Sequence, residues 1–231
     1  MLVGLVLSIT FSLSAQKLLP SYGRFSKKKI SHVFLKDGSE IQGYIKDIDR
    51  KKGLIKRIKI KDLDGKKHKL KAEEIDHMYL YPSGFSKFSK AYSFMSDATK
   101  WDNDTYSKGL FGDGYVLFEQ SEVYLKKNKG KKRTLLLQLL NPSFSSKIKI
   151  YSDPYARETM SMGFGGIKVA GGIAKSYYVK KGDDIAFRLK SKYYKKQYKS
   201  LFEGCDKLVN MKKAKWSKFE ENVFDYSNCD K

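Results

Sequence analysis

The chain has 231 residues, with 47 Lys and Arg against 25 Asp and Glu, a formal net charge of +22. Its 41% hydrophobic content, with 16 tyrosines, 14 phenylalanines and 2 tryptophans, is enough for a packed core and excludes a disordered polyelectrolyte. Four prolines exclude a long Pro-rich linker, and the length fits one large domain or two small ones.

Leu2 to Ser14 is an uncharged apolar run, followed by Ala15-Gln16-Lys17 and then by strongly polar sequence. It is shorter than the roughly 20 apolar residues that a membrane-spanning helix needs. The run reads as a secretory signal peptide over residues 1–15. A cut before Gln16 puts the small Ala15 at minus one but Leu13 at minus three, whereas a cut before Ala15 places Ser14 and Ser12 at those positions. No Lys or Arg precedes Lys17, so the N-terminal amine would supply the n-region charge, unless translation starts further upstream. The competing reading is a buried first strand or helix of a cytosolic domain. In an exported chain the two cysteines, Cys205 and Cys229, are most simply one disulfide. Zinc is the weaker alternative, because none of the three histidines is near a cysteine in sequence.

Residues 16–30 read as a basic linker, and charge divides the chain beyond it. Arg24 to Lys71 holds 17 basic and 6 acidic residues, Ala72 to Tyr124 holds 4 and 9, and Lys126 to Arg133 adds six positive charges in eight residues. Residues 31–82 read as a small antiparallel β-module with runs over 31–35, 41–48, 54–60 and 69–81. Ile58 and Ile60 alternate with Lys59 and Lys61, so one face packs while the other presents lysines. Asp37-Gly38 and Asp64-Gly65 are turn signals, because tight hairpins need positive φ. Short twisted strands at this density point to an SH3-like or Sm-like half-open barrel.

Residues 83–190 read as a second β-rich region. Trp101 to Asp104 and Gly109 to Gly114 look like loop, and strand runs lie over 115–127, 132–140, 147–151 and 174–190. The uncharged run Thr134 to Leu140 reads as the central strand of this region, although a short buried helix shares the pattern. Residues 191–231 read as a helical tail. Tyr194, Tyr198, Leu201, Cys205 and Leu208 fall on one helical stripe, and Ser217-Lys218-Phe219-Glu220 reads as a capping box opening a second helix. Cys205 and Cys229 would clamp this hairpin. The fold class is α+β, mainly β.

Lys175 to Lys181, Leu201 to Leu208 and the closing Tyr226-Ser227-Asn228-Cys229 resemble a group of uncharacterised exported proteins of Bacteroidetes bacteria. In that group a signal peptide ending in Ala-Gln is followed by a β-module, a second β-region and a two-Cys helical tail. The resemblance implies export and the Cys205–Cys229 pairing, and it carries no chemistry.

The motifs for chemistry fail one by one. His32, His68 and His77 lie in separate runs of the first module, where a three-His metal site would require convergence. Asp102-Asn103-Asp104 starts like a calcium loop but continues with Tyr106 and Ser107 where a ligand and a glycine are needed. Gly163-Phe164-Gly165-Gly166 and Gly171-Gly172 match neither a dinucleotide fingerprint nor a P-loop. Glu73, Glu74 and Asp76 read as a solvated strand edge. No catalytic residue, metal or cofactor is expected.

Basic runs at 27–29, 50–52, 56–61, 66–71 and 126–133 form the one feature with functional weight. A surface built from Lys27, Lys28, Lys29, Lys56, Arg57, Lys59, Lys61, Lys126, Lys127, Lys131, Lys132 and Arg133 would attract polyanions with salt-dependent affinity. The bland alternative is a lysine-rich composition that only keeps the protein soluble. The expectation is a non-enzymatic exported binding or scaffold protein of the periplasm or outer envelope, contacting lipopolysaccharide, anionic lipid or acidic polysaccharide. Two alternatives remain: a nucleic-acid-binding protein using the basic module, and an enzyme whose site is assembled from distant residues such as Glu73, His77, Asp102 and Asp104.

Overall fold

A computed structural model of the chain describes residues 18–83, 102, 105–124, 130–156 and 174–229. Residues 1–15, expected as a signal peptide, lie outside them, as do Lys126, Lys127, Asp104 and the glycine-rich stretches at 163–166 and 171–172. The protein is mostly β-sheet with a few helices. The strands are β1 (Ile30–Leu35), β2 (Glu40–Lys51), β3 (Leu54–Asp62), β4 (Lys67–Lys71), β5 (Ile75–Leu80), β6 (Val116–Tyr124), β7 (Lys132–Gln138), β8 (Ile148–Ser152), β9 (Ser176–Lys181) and β10 (Ala186–Lys190). They form one sheet in the order β4-β3-β2-β1-β5-β6-β10-β9-β8, with β7 paired to β6 off this path.

The first five strands follow from alternation. In β3 the side chains of Ile58 and Ile60 are fully buried while Arg57 and Lys59 are exposed, the period-two pattern of a sheet with one packed face. β2 and β3 are joined by the two-residue turn Lys52-Gly53, in which both residues take positive φ, +51° and +80°. Two left-handed residues match the twist of a hairpin, which is why glycine stands second. Gly43 has a different reason. A Cβ there would collide with the carbonyl oxygen of Lys61, so β2 can cross β3 at this point only without a side chain.

The run expected as one strand over 69–81 is two strands. The chain turns at 72–74, where the Glu74 amide donates to the Lys71 carbonyl (3.0 Å) and the Glu74 carboxylate accepts from the Lys71 amide. Ala-Glu-Glu carries no turn residue, so the side-chain acceptor supplements the backbone bond that closes the corner. The 109–114 segment expected as loop contains a short helix, α1 (Lys108–Gly112), capped by Ser107 and burying Phe111.

β5 pairs with β6 antiparallel, Met78 opposite Phe118, so the sheet runs without interruption from the first β-region into the second. β6 also pairs with β7 along Phe118 to Tyr124 and with β10, in parallel, at Val123 and Tyr124. Beyond β7, Leu139 bridges to Tyr151 of β8, so this end of the sheet curls back on itself. The buried Asn141 fixes that corner. Its amide donates to the carbonyls of Phe144 and Ile148, and its oxygen accepts from the Ile150 amide. All its polar capacity that faces the core is used, so its burial carries little penalty.

The tail packs on β9 through aromatic rings. Its helices are α2 (Ser191–Leu201), α3 (Asp206–Val209) and α4 (Phe219–Ser227). All five residues of the expected stripe are buried, but the helix stops at Leu201, and Gly204 at φ +90° lets the chain turn before Cys205 precedes α3. The expected capping box does not form: Ser217 lies in a 3-10 turn, and α4 starts at Phe219 with no side-chain cap. Stacking replaces it. Trp216 and Tyr177 both stack on Phe219 (4.8 and 5.2 Å), and Tyr194 meets Trp216 and Phe219 edge-on. Each such aromatic pair contributes about 1 kcal/mol beyond its burial.

Cys205 and Cys229 stand at disulfide distance, their Cα atoms 5.8 Å apart, with the Lys147 ammonium, just before β8, donating to the Cys229 carbonyl. Replacing both cysteines by serine is expected to lower the unfolding free energy in urea by about 3 kcal/mol, the chain-entropy value for a loop of this length. In the same assay Lys52→Asn is expected to raise it by about 0.5 kcal/mol, because asparagine tolerates the left-handed conformation that lysine resists.

Candidate polyanion-binding surface

The β3–β4 pairing sets three cations of one strand directly opposite three of the other: Arg57 faces Lys71, Lys59 faces Lys69, and Lys61 faces Lys67. Directly opposed side chains on an antiparallel pair have Cβ atoms about 5 Å apart, so each row is a like-charge contact that destabilises the sheet. The rows follow each other at about 7 Å, two residues of strand rise. Among the described residues the relief comes from β2. Asp49 accepts from both Nε and Nη2 of Arg57 (3.1 and 2.9 Å), and Asp47 accepts from the Lys59 ammonium (3.0 Å). No acidic side chain among the described residues pairs with Lys61, Lys67, Lys69 or Lys71.

Asp47 reports the local field. The hydrogen bond from Lys59 holds its carboxyl below the ordinary carboxylate range, and the charge of Lys27 adds to that effect. Lys27, from a segment more than thirty residues away, therefore adds to the positive field felt at Asp47. Asp62, at the hairpin end of the ladder, is also held low, first by its hydrogen bond to His68 (2.7 Å). A carboxyl held low in the folded chain stabilises it above the unfolded pKa and stops doing so as pH falls through the folded value. The two carboxyls thus stay ionised at neutral pH and are protonated only in acid.

At its Arg57–Lys71 end the ladder opens into a groove of about 420 Å³ between β3 and β7, lined by Lys36, Lys56, Ala72, Glu73, Gln120 and Arg133 among others. The groove is built by backbone: the Ala72 amide donates to the Lys56 carbonyl (2.9 Å), and Gln120 of β6 donates to the carbonyls of Ala72 and Ile75. Three cations from three separate sequence segments meet here with one carboxylate, Glu73.

The structure therefore gathers Arg57, Lys59 and Lys61 on one face, where the charge of Lys27 is felt at Asp47, and Lys56 with Arg133 in the adjoining groove. Lys28 and Lys29 are exposed, with their amides held by the Ser26 hydroxyl and the Lys29 ammonium 5.4 Å from the Tyr81 ring centre. Lys131 and Lys132 are exposed at the start of β7 and do not line the groove. Lys36 was invisible as a site residue in the sequence because it stands alone there. Neutralisation by Asp47 and Asp49 was equally hidden, since it depends on β2–β3 register.

The groups considered for catalysis have separate partners. Asp102 accepts from the Ser146 amide and hydroxyl (3.2 and 2.6 Å), Glu73 lines the basic groove, and His77 stacks on Phe34 while hydrogen-bonded to Asp76. His32 and His68 have their own carboxylates, Glu40 and Asp62. Among the described residues no group of three or more His, Cys, Asp or Glu could hold a metal ion. One polar cluster had no sequence signal at all. Glu119 of β6 accepts from the Tyr106 hydroxyl (2.9 Å), the Lys149 ammonium (2.9 Å) and the Tyr151 hydroxyl. Burial, and then the nearby Glu119, push both tyrosines well above the ordinary phenol range. They stay protonated donors to the carboxylate, which suits a structural tie between α1, β6 and β8.

The double substitution Asp47→Asn with Asp49→Asn is expected to free Lys59 and Arg57, and so to raise the salt concentration at which the protein elutes from a phosphate-bearing cation exchanger. Unchanged elution would show that these two carboxylates do not mask the ladder.

No family model, no curated protein and no solved structure matches this chain.

Proposed function

We propose that this is an exported, non-enzymatic binding or scaffold protein of the periplasm or cell envelope that docks through the β3–β4 ladder on an anionic envelope surface. The observation that carries this reading is the register Arg57–Lys71, Lys59–Lys69, Lys61–Lys67. A fold that sets like charges opposite one another gives up stability, and a polyanion lying along the rows would recover it. In the same reading β1 to β5, in the order β4-β3-β2-β1-β5, make an SH3-like or Sm-like module whose outer face is the docking surface.

The edge position of β4 offers the simpler explanation that its lysines only prevent sheet-to-sheet pairing. That explanation accounts for Lys67, Lys69 and Lys71 but not for Lys36, Lys56 and Arg133 in the adjoining groove. Binding of single-stranded nucleic acid needs rings on which bases stack. The exposed aromatic side chains among the described residues, Tyr155 and Tyr193, stand on other elements. No helix among these residues is long and apolar enough to cross a membrane, and a peripheral contact needs none.

The test is cosedimentation with vesicles containing anionic phospholipid, and separately with lipopolysaccharide, across a salt series. Binding is expected to fall steeply with salt, because each neutralised charge is screened within about 10 Å at 0.1 M. Lys67→Gln, Lys69→Gln and Lys71→Gln together are expected to weaken it about 100-fold, at about 1 kcal/mol per lysine near such a surface. Absent or salt-insensitive binding would reject the reading, and tighter binding to RNA homopolymers than to vesicles would favour the nucleic-acid alternative.

A further inference from the structure

A second cationic feature faces a different way. Arg50 stands at the end of β2, where the pairing with β3 slips between Asp49 and Arg50. Such a bulge re-aims a side chain. The Arg50 side chain lines a cavity of about 230 Å³, together with Ser21, Tyr22, Gln138 and Ser152 on its polar side and Phe118 and Leu136 on its apolar side. That volume holds about seven waters, which is room for one small anionic group and part of its hydration.

The guanidinium is partly buried and sits 5.9 Å over the Phe25 ring, its one contact of this kind. Among the described residues no carboxylate lines the cavity. The acidic residues nearest in the chain are committed elsewhere: Asp49 binds Arg57, and the fully buried Asp153 carboxylate accepts from Ser176, from the Tyr155 amide and from Arg188. Among the described residues Arg50 has neither an ion pair nor a hydrogen bond. Burial without a counter-ion accordingly lowers its pKa from the ordinary arginine value. A desolvated, unpaired charge is costly, and proteins keep one where something binds it.

The rest of the wall is suited to an acceptor-only ligand. The hydroxyls of Ser21 and Ser152 are 2.5 Å apart. One donates to the other, which leaves the second proton for a bound oxygen. Gln138 accepts from the Tyr22 amide (2.8 Å) and donates one N–H to the Pro20 carbonyl (2.9 Å), and so holds the Pro20–Tyr22 segment over the cavity. Positive charge on a planar fork, a free hydroxyl proton and no carboxylate describe an oxyanion site.

We propose that the Arg50 cavity binds a single oxyanion group, a phosphate or a carboxylate, at a site separate from the lysine ladder. The test is calorimetric titration of the full chain with inorganic phosphate and, in a second arm, with acetate, at fixed ionic strength. Saturable binding at one site per chain is expected, weakened at least tenfold by Arg50→Met and several-fold by Arg50→Lys, which keeps the charge but loses the fork. It is expected to survive Lys67→Gln, Lys69→Gln and Lys71→Gln together, so failure of the envelope-docking reading and failure of this one are separable. The phosphate and acetate arms decide which oxyanion the cavity prefers. No saturable binding of either probe would overturn the proposal, as would binding unchanged in Arg50→Lys or binding lost in the triple lysine variant. Should Arg50→Met not fold, the wild-type stoichiometry together with Arg50→Lys decides the matter.

Discussion

The structure depends on the use of both edges of β6. One edge pairs with β5 at Val116 to Glu119 and then with β10 at Val123 and Tyr124, while the other carries β7. A nine-residue strand with three partners joins the two β-regions through hydrogen bonds rather than through a linker. The same strand places Glu119 among Tyr106, Lys149 and Tyr151, and Gln120 under the basic groove. The side chains at 119 and 120 point to opposite faces, so one strand braces α1 and β8 on one side and builds the groove on the other.

Charge is distributed by the same alternation. On β2, Asp47 and Asp49 face the ladder and hold Lys59 and Arg57, whereas Arg50, displaced by the bulge, lines a half-open cavity. The two cationic features therefore differ in kind. The ladder is exposed, repetitive and screened by salt, which suits a long partner carrying many charges. The cavity is single, partly desolvated and lined by hydroxyls, which suits one group. Neither needs a catalytic residue, and the ionisable clusters that are present tie elements together.

The tail contributes stability through shape. Tyr177, Tyr194, Trp216 and Phe219 pack a stack of rings between β9 and α4, and the Trp216 indole donates to the Ala174 carbonyl (2.9 Å). The Cys205–Cys229 pair joins the α3 end to the α4 end behind that stack, where the Tyr226 ring meets Phe202. With so much aromatic packing in place, α4 forms without a side-chain cap.

Period-two alternation around Ile58 and Ile60, the Asp64-Gly65 turn and the apolar stripe of the tail are local patterns, and they were enough to read a mainly β chain with a helical end and a lysine face on β3. Pattern also misled where a local rule lost to context: one strand over 69–81 where a glutamate side chain helps close a corner, one stripe where Gly204 breaks the helix, a capping box at Ser217 where aromatic packing sets the helix start. What only the tertiary structure decided is register. Which lysine faces which, which aspartates mask them, that Lys36, Lys56 and Arg133 share a groove and that Arg50 is left alone in a cavity all follow from strand pairing between distant segments. Sequence specifies the face of each residue through its own strand; the neighbour across the strand is fixed by hydrogen bonds to another segment, and charge acts between neighbours.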